Sequence, residues 1–165
     1  MIDPVDQQLK QWHQERPDLD TSGLAIINRI SMLSKLISDR DRIALSPMNL
    51  ETWEFEVLSA LRRQGEPYEL PPSVLAKMYL LTTGAMTNRI DGLEKRSLVE
   101  RKPHPEDRRS LFISLTQKGA DLIDRAIEVR AEEATNIVNC LKEPERVELV
   151  HVLRTLVLET RREPC

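Results

Sequence analysis

The sequence predicts a mainly helical α+β chain with one small β-hairpin set inside it. Three observations carry that expectation. Apolar residues recur at spacings of three and four along most of the 165 residues, the period of a helix that buries one face. The pattern turns to alternation only in two runs, Leu98–Pro103 and Ser110–Leu115, as it does in half-buried strands. These runs are joined through PHPEDRRS, whose charge and proline content suits an exposed hairpin tip.

Asp6–Glu15 reads as a short helix that stops at Arg16-Pro17, because a residue before proline disfavours the α region. Asp20, Thr21 and Ser22 supply caps for a longer helix to about Ile43, with Ile26, Ile30, Leu33 and Ile37 on one stripe. Ser46-Pro47 breaks the chain. Asn49 then caps a helix carrying Leu50, Trp53, Val57 and Leu61, which ends near Gly65. Pro71-Pro72 opens the next helix, with Pro72 or Ser73 in its first turn and Val74, Leu75 and Met78 buried. Thr82 or Thr83 caps a helix to about Arg96, buried through Met86, Ile90 and Leu93. In the second strand, Leu111, Ile113 and Leu115 face one side, and Phe112 and Ser114 the other.

Thr116 caps a long helix over about 117–141 that carries Leu122, Ala126, Val129, Ile137 and Cys140 or Leu141, with Glu133 interrupting the stripe. Pro144 starts the last helix, with Val147, Leu149, Val150, Val152, Leu153, Leu156 and Val157. Apolar side chains cover so much of its girth that it needs several neighbours. A second copy of the chain is the simple way to supply them.

Charge is mixed: 24 basic against 27 acidic residues, a net of −3. Its distribution is uneven. Residues 81–118 hold eight basic and five acidic side chains, a net of +3, while the segments on either side are each −3. A basic centre between acidic flanks fits a localised polyanion site. Cys140 and Cys165 make neither a disulfide framework nor a metal-ligand cluster, and His13, His104 and His151 are too scattered for a metal site. No cofactor is expected. No apolar run reaches the roughly 18 residues of a membrane span, and MIDPVDQQLKQWHQE lacks a basic, apolar signal. The expectation is a reduced, cytoplasmic protein. With no nucleophile–base pair, phosphate-cradling glycine loop or clustered acid pair, an enzyme is not expected.

Two short helices followed by a basic hairpin is the order that lays one helix in a DNA major groove and the hairpin along the neighbouring backbone. Gly84, Thr87, Asn88, Asp91 and Lys95 fall mainly off the buried stripe of the second helix. Thr and Asn are short polar groups suited to base edges and phosphates. Free backbone N–H groups at Thr82, Thr83 and Gly84 suit a phosphate. Arg108 and Arg109 stand at the hairpin tip with Asp107, and Arg101 and Lys102 at its base. Arginine in a hairpin tip suits the negative minor groove, and Asp107 would brace Arg109 or Arg101 by a charge-assisted bond. The competing readings are a solvated polar face and a winged module that binds protein. The second calls for more exposed apolar surface.

The run TTGAMTNRIDGLEKRSLVERKPHPEDRRSLFISLTQKG resembles the winged helix-turn-helix core of the MarR family of bacterial transcription regulators. LVER before the wing, D-R-R at its tip and SLTQKG leading into a long helix carry the likeness, which spans about residues 22–160. It implies a homodimer built from the terminal helices, a recognition helix at about 83–96, a palindromic operator in double-stranded DNA, repression in the family's manner, and control by a small ligand. Residues 1–19 would then be an N-terminal extension helix, 20–45 and 117–165 the dimerisation region, and 46–116 the DNA-binding domain.

WEFEVLSALRR, TTGAMTNRIDGLE and the extra N-terminal helix with Trp12 resemble the urate-responsive subgroup of that family. The likeness implies a ligand site of Trp12, Glu56 and Arg89. Glu56 stands where the subgroup carries aspartate, which keeps the charge and moves the carboxylate by about one methylene. A planar aromatic anion, urate-like in shape, is the implied ligand. The implied switch is an ion pair in which Glu56 holds Arg89 until the ligand takes the arginine over. Cys140 offers an alternative switch, through oxidation of its thiol.

Overall fold

The structure is a computed structural model that describes residues 2–103 and 111–161. Its helices are α1 (Pro4–Glu15), α2 (Ser22–Leu45), α3 (Thr52–Arg62), α4 (Pro72–Met78), α5 (Thr83–Lys95), α6 (Gln117–Val138) and α7 (Glu143–Thr160). Three strands, β1 (Glu69–Leu70), β2 (Val99–Pro103) and β3 (Leu111–Leu115), form an antiparallel sheet in the order β1-β3-β2. Glu100 pairs with Ser114 and Lys102 with Phe112 across the hairpin.

The first strand is a departure from the expected two-stranded wing. Glu69 pairs with Ser114 and Leu70 with Ile113. A two-residue strand has no alternation to read, so only the pairing reveals it. It also changes the environment of Ser114. That side chain is 1% exposed, and its hydroxyl donates to the Pro67 carbonyl at 3.1 Å. Both faces of β3 are therefore covered at its base.

Capping follows the short polar residues. Thr82 Oγ1 accepts the Ala85 amide at 3.2 Å and Thr116 Oγ1 accepts the Gly119 amide at 3.0 Å, each removing an unpaired donor at a helix start. Asn49 does not cap α3. It lies in the left-handed region at φ 49° after a 3-10 turn, and Glu51 occupies the cap instead. The Glu51 amide donates to the Glu54 carboxylate at 3.0 Å.

The core joins α3, α4, α5, the sheet and the start of α6 through Val57, Leu58, Leu61, Leu75, Met86, Ile90, Leu93, Ile113 and Ile123. Each such side chain contributes roughly 1.5–3 kcal/mol on burial. On α4 the expected burial fails at two positions. Leu75 and Ala76 are inside, but Val74 and Met78 are 39% and 46% exposed. A seven-residue helix turns only one narrow stripe inward. Gly119 marks a close approach, since a Cβ there would stand 2.0 Å from the Leu98 carbonyl oxygen. The start of α6 thus sits directly on the start of β2.

The stripe expected on α2 is largely open. Ile26, Ile30 and Leu33 are exposed, as are Val147, Val150, Leu153 and Val157 of α7, which buries no residue at all. At the other side of α2, Asp41 is buried 2.9 Å from Arg130 of α6, though its Oδ1 lacks an aligned hydrogen bond. Burial raises the Asp41 pKa, and Arg130 opposes that shift. The α1 helix docks on α2 through Arg29, which reaches Asp3 at 2.8 Å and Asp6 at 2.5 Å.

Candidate nucleic-acid interface

The face of α5 that could meet DNA is defined by what the opposite face buries. Met86, Ile90 and Leu93 are at most 1% exposed. Their spacing leaves Thr83, Gly84, Thr87, Asn88 and Lys95 exposed. Thr87 Oγ1 donates to the Thr83 carbonyl at 2.9 Å, which holds the side chain close to the helix. The Thr82 cap leaves other amides of the first turn directed outward. Gly84 has no atom within 4 Å of the place its Cβ would take. It is therefore exposed surface, where backbone can approach a ligand closely.

Asp91 is placed differently. It is half-buried and pairs with Arg101 of β2 at 2.5 Å, and Glu94 binds the other arm of the same guanidinium. These carboxylates, Asp91 first, raise the Arg101 pKa. Arg101 thus joins the start of the hairpin to α5 and neutralises two acids on it. Its expected brace, Asp107, lies outside the described residues, as do Arg108 and Arg109. Lys102 stands at the edge of the wing, 3.0 Å from Glu100 and 3.3 Å from Ser114 Oγ.

The far end of α5 carries a feature that sequence inspection passed over. Arg96 is the C-cap of α5, and its guanidinium pairs with Glu54, which is 3% exposed. The same guanidinium donates to the Asn49 carbonyl at 2.6 Å. A glutamate in the first turn of α3 was the available signal. Glu54 serves both as acceptor for the Glu51 amide and as buried counter-ion for Arg96.

Of the expected ligand residues, Glu56 and Arg89 are brought to one neighbourhood and Trp12 is not. The Arg89 guanidinium lies over the Trp53 ring, 5.4 Å from its centroid. The Tyr79 hydroxyl donates to the Glu56 backbone carbonyl at 2.6 Å. Burial pushes the Tyr79 phenol up, Arg63 pulls it down, and Glu56 and Arg89 both lie within electrostatic reach. The expected Glu56–Arg89 ion pair is not formed: none of the ion pairs among the described residues joins them. The cation is held by the ring of Trp53, an attraction that survives partial burial because an aromatic face needs no desolvated anion. Trp12 is half-exposed near the end of α1, beside Gln8, Gln11 and Glu15. No hydrogen bond, ion pair or ring contact links it to Glu56 or Arg89. Cys140 is exposed just beyond α6.

A family model described as MarR family matches residues 50–111. The chain is 36% identical over 141 residues to the HTH-type transcriptional regulator PecS of Dickeya dadantii, covering 86% of this chain and 85% of that protein. Among solved structures it is similar to AbsC, a MarR family transcriptional regulator from Streptomyces coelicolor (TM-score 0.75, 22% identity, 88% of this chain and 97% of that one). It is also similar to a mutant MarR from E. coli complexed with operator DNA (TM-score 0.71, 23% identity, 88% of this chain and 96% of that one).

Proposed function

The chain belongs to the MarR family of transcriptional regulators, and from that premise we propose that it acts as a homodimeric repressor on a palindromic operator, released by a planar aromatic anion. The observation that carries the DNA-binding part is the division of α5. Met86, Ile90 and Leu93 are buried while Thr83, Gly84, Thr87 and Asn88 stand exposed on the same helix. Thr87 and Asn88 read base edges, and Thr83 and Gly84 take a phosphate at the helix start. Lys95 adds a backbone contact. Arg108 and Arg109 enter the minor groove from the wing tip, with Asp107 holding one of them in place. Arg101 and Asp91 serve the interface as a pair. The homodimer is supported by the unpartnered apolar faces of α2 and α7, with residues 20–45 and 117–165 as its dimerisation region and 46–116 as the reading domain.

Selection of bound DNA from a random pool tests this reading. The expected outcome is a two-fold symmetric site whose affinity falls steeply with salt, because phosphate contacts release counter-ions. Replacing Arg108 and Arg109 together by alanine is expected to weaken binding and flatten the salt slope. Selection that returns no symmetric site would remove the proposal.

The ligand part rests on Arg89. Its guanidinium is held by Trp53 rather than by a carboxylate, so an aromatic anion competes by offering both charge and a ring face. Glu56, close by, is repelled when the anion arrives, while Trp12 stands outside that neighbourhood beside Gln8, Gln11 and Glu15. Movement of Arg89 moves the helix that reads DNA, and the ligand shifts that equilibrium only through its different affinity for the two states. Urate and related aromatic anions are expected to release operator from the wild type and not from Arg89→Ala. Equal release from both would exclude the switch. The oxidant alternative, through exposed Cys140, predicts release by peroxide that Cys140→Ser abolishes.

A further inference from the structure

The apolar stripe of α5 fixes how deeply the helix sits, but apolar contacts are non-directional and leave its roll and axial position soft. Directional contacts must set those. At its N-terminal end the chain is held by the turn from α4, where the Leu81 amide donates to the Ala76 carbonyl at 2.9 Å. Toward its C-terminal end two arginines hold it: Arg101 reaches Asp91 and Glu94 from β2, and Arg96 ties the last turn to α3. Arg96 binds the buried Glu54 carboxylate with one arm and the Asn49 carbonyl, at 2.6 Å, with the other. Its own carbonyl accepts Lys118 Nζ at 2.8 Å. Glu54 is fixed in turn by the Glu51 amide. Four segments therefore meet at Arg96: its guanidinium joins the end of α5 to the turn before α3 and the start of α3, and its carbonyl takes the start of α6.

We infer that Glu54 and Arg96 are positioning residues for operator recognition, their half-buried ion pair setting the roll and axial position of the reading helix. The inference rests on the DNA-binding role proposed above. Planar guanidinium geometry suits this task, because two arms engaged at fixed angles define an orientation that one ammonium does not. Neither residue needs to touch DNA. Their effect falls on specific binding, which requires base edges to be met in register, and spares non-specific binding, which depends on phosphate charge.

The test uses the full chain in two variants. Arg96→Met with Glu54→Met removes both charges together, so no unpaired ion is left inside. Arg96→Lys keeps the charge and loses the fork. Each is measured for thermal midpoint, affinity for the selected operator, affinity for an unrelated duplex, and affinity for operators with one base pair added or removed between half-sites. The expected result is a tenfold or greater loss of operator affinity in the double variant. Non-specific affinity stays within twofold and the preference for half-site spacing flattens, with Arg96→Lys in between. Unchanged operator affinity and spacing preference in the double variant, beside a wild type that binds, overturns the inference alone. A wild type that fails to discriminate operator from unrelated duplex overturns the DNA-binding role with it. If the double variant does not fold, Glu54→Gln, which retains both hydrogen bonds, takes the same measurements. Spacing preference equal to wild type there overturns a role for the ionic pair, and a flattened preference supports it.

Discussion

At the scale of single residues, the arginines of the DNA-binding unit divide by what holds them. Arg89 is held by an aromatic ring, Arg96 by a buried acid and Arg101 by two half-exposed acids. In the sequence Arg101 is one of two basic residues at the wing base, and these look alike in one dimension. Its geometry makes it a counter-charge for Asp91 and Glu94, which would otherwise present negative charge beside a phosphate backbone. Arg101→Ala is expected to weaken operator binding by about 1 kcal/mol, a modest cost because the pair is partly solvated. Adding Asp91→Asn to that variant is expected to restore part of the loss, read by fluorescence anisotropy on labelled operator. No restoration would make Arg101 a direct phosphate contact.

At the scale of elements, two joints are open to measurement. The turn between α4 and α5 holds Leu80 at φ 53° with 94% of its surface exposed. The side chain loses nothing if removed, and the left-handed backbone is costly for any residue with a Cβ. Leu80→Gly is expected to raise stability by about 0.5–1 kcal/mol, after allowing for the added freedom of the unfolded chain. A lower thermal midpoint would refute it. The other joint holds α1 on α2. The Asp6 amide and the Arg29 guanidinium keep the Asp3 carboxyl below its ordinary value of 3.8. A lowered folded pKa means that this contribution is present above the ordinary value and is lost as pH falls through the folded one. Amides of α1 are therefore expected to lose exchange protection in acid. Asp41, raised by burial, has the opposite sign, so acid relieves the cost of its charge between α2 and α6. Protection in Asp3→Ala that follows the wild-type pH curve would exclude the first half of this account.

At the scale of the whole molecule, the exposed apolar faces of α2 and α7 are too extensive for a lone chain in water. Helix α7 carries apolar residues around its girth, yet buries none of them within the protomer. In the proposed homodimer, association through these faces would order the two α5 helices relative to each other, as the proposed symmetric operator requires. Leu153→Glu is expected to shift sedimentation toward monomer and to reduce operator affinity at least tenfold, while an isolated half-site is bound as before. A monomeric wild type would contradict the account at its first step.

The sequence by itself determined the order of helices, the Thr116 cap and the stripe Met86–Ile90–Leu93, and narrowed the α5 cap to Thr82 or Thr83. These depend on local preference or on spacing within one element, and periodicity records them, whereas the family was legible only through the resemblance of its wing and helix motifs. Tertiary structure alone decided what lies across from each side chain. It added β1 to the sheet, moved the α3 cap from Asn49 to Glu51, left Val74 and Met78 outside, and gave Arg89 to Trp53 instead of Glu56. It also paired Arg96 with Glu54, 42 residues apart. The physical reason is common to all of them. An ion pair or a ring contact depends on distance in space, and charge opposite charge leaves no period along the chain.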